Sequence, residues 1–231
     1  MQKSVIIVAG GQGMRFGREL PKQFALIRGK PLLMHCIELF HAYDPGIQIV
    51  AAIRQDLFSY WERICEQYRF DISHACSPGG ETRYHTVKNA LSSVSPDSLV
   101  AIHDAVRPLL YRSTIEACFE SAEKFGAALP CVPIHDSIRE ITPEGSRRAG
   151  REQFRQVQTP QIFRYEILAR AYQQEYSEDF TDDASVVERA GFPVSLVEGN
   201  VENIKITTPE DLVLAEALFD SYRGKSGFSG Q

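Results

Sequence analysis

Two cations follow a glycine-rich segment near the start of the sequence, at a spacing suited to holding phosphates. The segment is Ala9-Gly10-Gly11-Gln12-Gly13-Met14, with Arg15 directly after it and Lys22 seven residues later. Glycine lets main-chain N–H groups come close to a phosphate or a base, because no Cβ intervenes. A bidentate arginine and a point-charge lysine could then clamp a triphosphate, whereas the alternative is that both are solvated surface charges. Nucleotide binding is predicted for Ala9, Gly10, Gly11 and Gly13.

The two best-known phosphate motifs do not fit this segment. A Walker A loop requires Gly-Lys-Ser/Thr after the glycines, and the nearest such triplet, at residues 224–226, has no strand before it. A dinucleotide fingerprint requires glycine at position 16, where the chain has Phe16. No acidic residue stands at the end of the second predicted strand to hold a ribose. Binding of NAD is therefore disfavoured.

Two further segments carry polar groups of the kind that bind nucleotides. Residues 79–87 combine two glycines with the hydroxyl of Thr86 at the start of a predicted helix, where N–H groups point outward. The alternative is a simple helix cap. Asp104, in His103-Asp104-Ala105-Val106-Arg107-Pro108, follows a predicted strand and could hold Mg²⁺ beside phosphates, or could only cap a loop. His103 is expected to be hydrogen-bonded rather than to act as a base.

These segments lie between elements that alternate along the chain. Residues 5–9 are an apolar run ended by glycines, which predicts a strand buried on both faces. The alternation predicts a single α/β domain over residues 1–231, with a Rossmann-like, mostly parallel sheet and helices on both faces. Further strands are predicted at 47–53, 71–76, 99–102, 127–132, 194–197 and 203–206, and helices at 31–42, 56–69 (with Asp56 as N-cap), 83–93, 112–125, 164–174, 182–190 and 209–221.

Residues 134–158 interrupt the alternation. A turn signal at 142–145 separates two extended, polar stretches, which predicts a projecting β-arm. An isolated two-stranded hairpin is only marginally stable, so we expect the arm to dock on a second copy of the chain and form a homodimer. Residues 222–231 are predicted to be a flexible tail.

Composition excludes several classes of protein. The chain has 25 basic and 30 acidic residues, a net charge of −5, which argues against a broad nucleic-acid surface. No apolar run approaches the ~18–20 residues of a membrane span, and no signal-peptide core is present. The five cysteines show no metal-binding spacing, which is typical of reduced, cytoplasmic thiols.

The pattern A-G-G-x-G-x-R followed by P-K-Q resembles the signature of the sugar-phosphate nucleotidyltransferases. Within them the chain is most similar to the cytidylyltransferases that act on 2-C-methyl-D-erythritol 4-phosphate, from about Ser4 to Phe219. Three more blocks agree: G-G-x-x-R-x-x-S-V, with Thr86 in place of Ser, then H-D-A-x-R-P, and N-I-K-x-T-x-P-E-D-L from Asn203. Residues 181–185 resemble T-D-E-A-S.

The resemblance implies a reaction and a set of roles. CTP and the polyol phosphate would be joined with release of pyrophosphate, in the non-mevalonate route to isoprenoid precursors and with Mg²⁺ or another divalent cation. Arg15 and Lys22 would act on the transition state, while Arg151 and Lys205 would orient the acceptor. The nucleotide set would gain Gly80, Glu81, Arg83, Thr86, Asp104 and Ala105, and the acceptor set is Arg107, Asp136, Ser137, Arg151, Thr181 and Lys205. The arm would supply its acceptor-binding residues across the dimer interface.

Three alternatives stay open from the sequence. A ribitol 5-phosphate cytidylyltransferase shares the glycine loop and the H-D-A-V-R-P block, although the Arg15-to-Lys22 spacing favours the methylerythritol branch. The others are an NAD-dependent oxidoreductase and a nucleotide-binding module without activity. The presence of Arg15, Lys22, Asp104, Arg151 and Lys205 together argues against the last.

Overall fold

A central sheet organises the chain, of which the computed structural model describes residues 1–10 and 21–228. Strands and helices alternate, as the apolar pattern predicts. The strands are β1 (Gln2–Ala9), β2 (Leu26–Ile27), β3 (Lys30–Pro31), β4 (Gln48–Ile53), β5 (Ala75–Pro78), β6 (Ser98–Asp104), β7 (Ala127–Pro133), β8 (Arg139–Thr142), β9 (Gly145–Arg148), β10 (Arg155–Val157), β11 (Gln161–Arg164) and β12 (Ser195–Glu198). The helices are α1 (Leu32–Tyr43), α2 (Phe58–Tyr68), α3 (Arg83–Leu91), α4 (Arg112–Phe125), α5 (Tyr165–Ala171), α6 (Asp183–Arg189) and α7 (Pro209–Lys225).

The strand order of the main sheet is β10-β7-β11-β6-β1-β4-β5, with β12 beside β7. β1 pairs in parallel with β4 and β6, and β4 pairs in parallel with β5. β11 runs antiparallel to β6 and β7, and β10 antiparallel to β7. The sheet is therefore mostly parallel, and the carboxyl ends of β1, β4, β5 and β6 lie at one edge, where such sheets bind ligands.

The two faces of the sheet belong to two separate apolar clusters. In β1, Val5 and Ile7 pack with residues of α1, α2, α4 and α7, whereas Ile6 packs with α3, α5 and α6. Alternate side chains of a strand point to opposite faces, so a continuous apolar run requires cover on both sides. The predicted α/β class, with helices on both faces, is confirmed.

Local structure differs from the predictions in several places, and strand β11 was not predicted at all. Helix α2 begins at Phe58 after a short 3-10 turn, and Asp56 binds Arg54 instead of capping the helix. The third strand begins at Ala75 rather than at residue 71. The strand predicted at 203–206 is absent, because the N–H of Asn203 already binds the carbonyl of Asn200 in a turn.

The 134–158 segment contains the predicted hairpin, formed by β8 and β9. Most side chains of the hairpin are exposed to solvent, and Ile141 is 81% exposed. The last part of the segment, β10, was predicted as an extended part of the arm, but it pairs with β7 of the main sheet. The hairpin thus emerges directly from the sheet, and its use in dimerisation stays a prediction.

The carboxyl-terminal helix runs further than predicted. α7 reaches Lys225, so the forecast of a flexible tail from residue 222 is wrong for the residues that are helical. Tyr222 is buried and its hydroxyl donates to the carbonyl of Leu110 over 3.0 Å. The carbonyl of Ser226 accepts from the N–H of Arg112. None of the helices seen between residues 1 and 228 is both long and apolar enough to cross a membrane.

Candidate active site

A cavity of about 440 Å³ opens at the carboxyl ends of the parallel strands. It brings together ten residues that the sequence singled out from distant segments. These are Ala9, Gly10, Lys22, Gly80, Glu81, Arg83, Thr86, Asp104, Ala105 and Lys205. The predicted residues Gly11, Gly13 and Arg15 lie outside the described part of the chain. Gln23, Arg54 and Thr82 also line the cavity and were not predicted.

One wall of the cavity is built around the hydroxyl of Thr86. This hydroxyl accepts the N–H of Gly80 at 3.0 Å and donates its proton to the carbonyl of Thr82 at 2.9 Å. Because its only proton is used, the hydroxyl of Thr86 has no donor left for a ligand and can only accept. A Cβ on Gly10 would lie 2.8 Å from this hydroxyl, and a Cβ on Gly80 would lie 2.4 Å from the Cβ of His85. The close approach of backbone to side chain therefore requires glycine at both positions.

The other wall centres on Asp104, a buried carboxylate among three cations. Its Oδ2 lies 2.9 Å from Nζ of Lys205 and 3.5 Å from Nε of Arg107. Its Oδ1 lies 3.4 Å from Nε of Arg83. Burial alone would raise the pKa of Asp104, but the charges of Arg83, Lys205 and Arg107 outweigh burial and hold this pKa well below its usual range. Asp104 is ionised at neutral pH, and Lys205 is its nearest cation.

A chain of hydrogen bonds holds the backbone beneath Asp104. The N–H of Asp104 donates to Oγ1 of Thr159 at 3.1 Å, and Oγ1 lies 3.0 Å from Nδ1 of His103. Nε2 of His103 lies 3.0 Å from the carbonyl of Arg107, which can only accept, so Nε2 carries the proton of the neutral ring. Burial lowers the pKa of His103 to about 4, against smaller opposing contributions from the charge of Asp104 and the hydrogen bond to the carbonyl of Arg107. His103 is thus a neutral, buried link whose two ring nitrogens are hydrogen-bonded, as predicted.

Asn203 connects this chain to the segment that carries Lys205. Its carbonyl accepts from Nη1 of Arg107 at 2.7 Å, and its side-chain Nδ2 donates to the carbonyl of Thr159 at 2.9 Å. The segments that contain Asp104, Thr159 and Lys205 are therefore tied together through buried polar contacts. Asn203 is part of a motif recognised in the sequence, but no role was predicted for it.

Asp183 supports Arg83 and was missed by sequence reasoning. This carboxylate has no exposed surface, and it accepts from Nη2 of Arg83 at 2.7 Å and from the hydroxyl of Tyr172 at 2.7 Å. Burial would lower the pKa of Arg83, but Asp183 and Asp104 raise it above its usual value. An acidic residue such as Asp183 at the start of a short helix is commonly explained by its interaction with the helix dipole. The sequence pattern therefore did not predict its ion pair with Arg83.

The remaining predicted acceptor-binding residues do not line the cavity. Asp136, Ser137 and Thr181 are exposed, and the side chain of Arg151 is 49% exposed with its Nη1 donating to the carbonyl of His135. Arg107 is buried against Asp104 and Asn203. In one copy of the chain, then, the arm residues and the cavity are separate.

The residues present suit a metal ion that arrives on a nucleotide rather than one held in a protein cage. Between residues 1 and 10 and between 21 and 228, no cluster of three acidic, histidine or cysteine side chains could hold an ion. Among the cavity residues that the structure describes, Asp104 is the one carboxylate that is buried, and its cationic neighbours disfavour a second cation unless phosphates accompany it. Mg²⁺ commonly binds through one or two carboxylates together with substrate phosphates.

Comparison with known proteins agrees with this geometry. Residues 4–221 match the family model for 2-C-methyl-D-erythritol 4-phosphate cytidylyltransferase. The curated enzyme of that name from Bacteroides thetaiotaomicron is 48% identical over 218 residues, which cover 94% of this chain and 100% of the relative. The one from Azobacteroides pseudotrichonymphae is 49% identical over 220 residues, or 95% and 99% of the two chains. The crystal structure of the Thermus thermophilus enzyme superposes with a TM-score of 0.76 at 33% identity, covering 94% of this chain and 98% of that one.

A mostly parallel sheet whose strand ends hold glycine turns, a buried carboxylate and lysines is the architecture of a nucleotidyltransferase. The chain belongs to the 2-C-methyl-D-erythritol 4-phosphate cytidylyltransferase family. The resemblance stated from the sequence motifs is thereby confirmed.

Proposed function

We infer that the chain joins CTP and 2-C-methyl-D-erythritol 4-phosphate, giving 4-diphosphocytidyl-2-C-methyl-D-erythritol and pyrophosphate in isoprenoid precursor synthesis. The observation that carries this inference is the family match over residues 4–221, nearly the whole chain. The ribitol 5-phosphate alternative is not favoured, because the similar proteins carry the methylerythritol name. The NAD alternative has no support in the family match.

In this reaction a phosphate oxygen of the acceptor attacks the α-phosphorus of CTP. A new P–O bond forms, the bond to the β-phosphate oxygen breaks, and pyrophosphate leaves with that electron pair. The attacking oxygen is already ionised, so no side chain has to act as nucleophile or base, and the rate depends on positioning and charge stabilisation. We assign charge stabilisation at the phosphates to Lys22 and Arg15 and orientation of the acceptor to Lys205, which lines the cavity beside Asp104.

The glycine turns are proposed to hold the cytidine. Main-chain groups of Gly10, Gly80 and Ala105 line the cavity, with Glu81 and Arg83 beside them. The lone pair that Thr86 presents suits the exocyclic amine of cytosine, whereas the O4 carbonyl of uracil would face it without a proton between them. We propose that this contrast contributes to the choice of CTP.

A divalent cation is proposed to arrive with the triphosphate, and Asp104 is the side chain that would contact it. When bound, Mg²⁺ would neutralise charge on the phosphates. Asp104 also orients Lys205 through their 2.9 Å ion pair, and this contribution does not depend on the ion.

The acceptor site is proposed to be completed by a second copy of the chain. Arg151, Asp136 and Ser137 are exposed and lie outside the cavity of their own copy. The arm segment also exposes Ile141, Phe154 and Val157, at 81%, 45% and 39%. Docking these apolar side chains on a partner would remove them from water, and would carry Arg151 toward the partner's cavity. The cytoplasmic location stays a prediction from the sequence.

Pyrophosphate release tests the acceptor directly. We expect CTP with 2-C-methyl-D-erythritol 4-phosphate to give a kcat/KM at least about tenfold above that with ribitol 5-phosphate, since a site built for one polyol leaves polar groups unpaired with another. Lys22→Ala serves as the control for contaminating activity. Equal values for the two acceptors, or faster release with ribitol 5-phosphate, would contradict the proposed substrate.

A further inference from the structure

The residue next to Lys22 holds the turn on which this lysine lies. Lys22–Phe24 form a 3-10 turn in which the N–H of Phe24 binds the carbonyl of Pro21 and the N–H of Ala25 binds the carbonyl of Lys22, each at 3.0 Å. Two local hydrogen bonds define the shape of this turn. They do not determine where the turn lies relative to the sheet.

Gln23 supplies one tie to the sheet. Its side chain is buried, at 1% exposure, and its Nε2 donates to the carbonyl of Ala9 at 2.8 Å. Ala9 is the last residue of β1 and lines the cavity, as do Lys22 and Gln23. A single hydrogen bond thus connects the end of β1 to Gln23, the residue directly after Lys22.

Phe24 supplies the second tie, to helix α2. Its ring is 1% exposed and lies edge-on to Tyr60 at 5.1 Å and stacked on Trp61 at 6.0 Å between centroids. Helix α2 therefore holds Phe24 through an apolar contact, while β1 holds Gln23 through a directional one. The hydrogen bond of Gln23 restricts the orientation of the turn more strongly than the packing of the Phe24 ring does, because hydrogen bonds are directional.

We propose that Gln23 is a positioning residue for Lys22, holding the turn so that the lysine ammonium meets the phosphates at the cavity. This inference rests on the proposed role of Lys22 in charge stabilisation. Lysine reaches its target through a flexible four-carbon stem, so its backbone must be fixed if the ammonium is to be in place before the reaction. A displacement of about 1 Å in a catalytic group can cost on the order of a hundredfold in rate.

The first test replaces Gln23 by methionine, which has a similar shape and no donor. We expect Gln23→Met to lower kcat about tenfold to a hundredfold while the KM for CTP changes little, because the lysine acts mainly in the transition state. The matched control is Gln48→Met. The amide of Gln48 also donates to a backbone carbonyl, that of Ser93 at 2.7 Å, but at the amino-terminal end of β4, away from the cavity. An unchanged kcat in Gln23→Met would overturn the proposal.

A double-mutant cycle separates this inference from the assignment of Lys22. If Gln23 acts through the lysine, Gln23→Met should cause no further loss of kcat when Lys22→Ala is already present. Full additivity of the two losses would overturn the positioning role while leaving Lys22 catalytic. A normal kcat in Lys22→Ala alone would instead overturn the assignment of the lysine.

A second variant gives a pH signature that general loss of structure would not produce. In Gln23→Glu the protonated carboxyl can donate to the carbonyl of Ala9, whereas the carboxylate repels it, and burial raises the pKa of such a group. We expect the kcat of Gln23→Glu, relative to the unmodified protein, to rise as pH falls from about 8.5 to 6. The same ratio for Gln23→Met should stay flat. Parallel pH dependence in the two variants would contradict the role of the amide donor, and fluorescence of Trp61, the single tryptophan, reports that both are folded.

Discussion

Asp104 shows how one side chain can depend on its neighbours for its charge. A buried carboxylate without partners would take up a proton, but here Arg83, Arg107 and Lys205 surround it. In return, the carboxylate fixes Lys205 at the cavity. The sequence motifs G-G-x-x-R, H-D-A-x-R-P and N-I-K identified these residues as candidates for the site. Their mutual distances were not, because positions 83, 104 and 205 become neighbours only through the topology of the sheet.

His103 predicts how stability depends on pH. Its pKa is lowered by burial from 6.5 to about 4, so between these values the unfolded chain binds a proton that the native protein does not. The free energy of unfolding should therefore fall as pH falls from about 6.5 to 4, by up to about 3 kcal/mol from this group. Asp104 acts in a lower range, since its ordinary pKa is 3.8 and its native pKa lies below that. Urea unfolding at pH 7.5, 6 and 5 measures the difference.

His103→Asn provides the comparison for this prediction. The asparagine carbonyl can still accept from Thr159, and no group titrates, so the loss of stability between pH 6.5 and 4 should shrink. His135→Asn, at an exposed position, should leave the pH dependence as it is. A loss of stability between pH 7.5 and 5 that is as large in His103→Asn as in the unmodified protein would show that folding does not lower the pKa of His103.

Most elements were predictable where long apolar runs are buried on both faces, although the short buried strand β11 was missed. The apolar runs of β1, β4 and β7 and the periodic faces of α1 and α4 follow directly from the need to cover a sheet on both faces. The pairing of β10 with β7 was missed because residues 155–157 are exposed and nothing in their pattern shows that β7 offers them a free edge. In residues 203–206 polar and apolar side chains alternate as in a strand. Instead, Asn203 closes a turn with Asn200, and its side chain binds the carbonyl of Thr159.

Helix α7 illustrates an element whose end depends on tertiary contacts. Its last turns are polar in sequence, and the buried side chain of Tyr222 holds them through Leu110 and a stack on Tyr111. We expect Tyr222→Ala to lower the free energy of unfolding by about 3 to 5 kcal/mol, as for other buried aromatics, and Tyr222→Phe by about 1 kcal/mol, since only a hydrogen bond is lost.

Val213→Ala on the same helix is the control for this pair. Val213 is 71% exposed, so its truncation should change the free energy of unfolding by less than about 0.5 kcal/mol. Chemical denaturation of the three variants gives the ranking. A Tyr222→Ala protein as stable as Val213→Ala would restore the idea that the chain is loose beyond residue 221.

At the scale of the whole molecule, the cavity is well defined in one copy while the arm lies outside it. Ten predicted residues meet at the cavity. Arg151, on the exposed arm segment, does not line it. From the sequence, acceptor binding by the arm could be predicted only through the resemblance to a family. No local sequence pattern shows whether a residue acts in the site of its own chain or in that of a second copy.

Mixing two inactive variants tests whether sites are shared between copies. Arg151→Ala and Lys22→Ala should each be nearly inactive alone. If Arg151 serves the partner, one site of each heterodimer carries neither change, so random reassembly should restore about a quarter of the original activity and purified heterodimers about a half. Activity and sedimentation are measured on the same samples.

Two results would contradict this arrangement in different ways. Verified heterodimers without recovered activity would place Arg151 in the site of its own chain. Sedimentation of the unmodified protein as a monomer would remove the shared site altogether, and the exposed Ile141 would then need another explanation.

The ion pair between Asp104 and Lys205 can form only late in the synthesis of the chain. Strands β1, β4, β5 and β6 can pair as soon as they leave the ribosome, since they come from the first half of the chain. Lys205 and Asn203 are made after every strand of the sheet, and translation adds only about 5–20 residues per second. A nascent chain therefore spends seconds with its glycine turns already made and its buried carboxylate without its nearest cation.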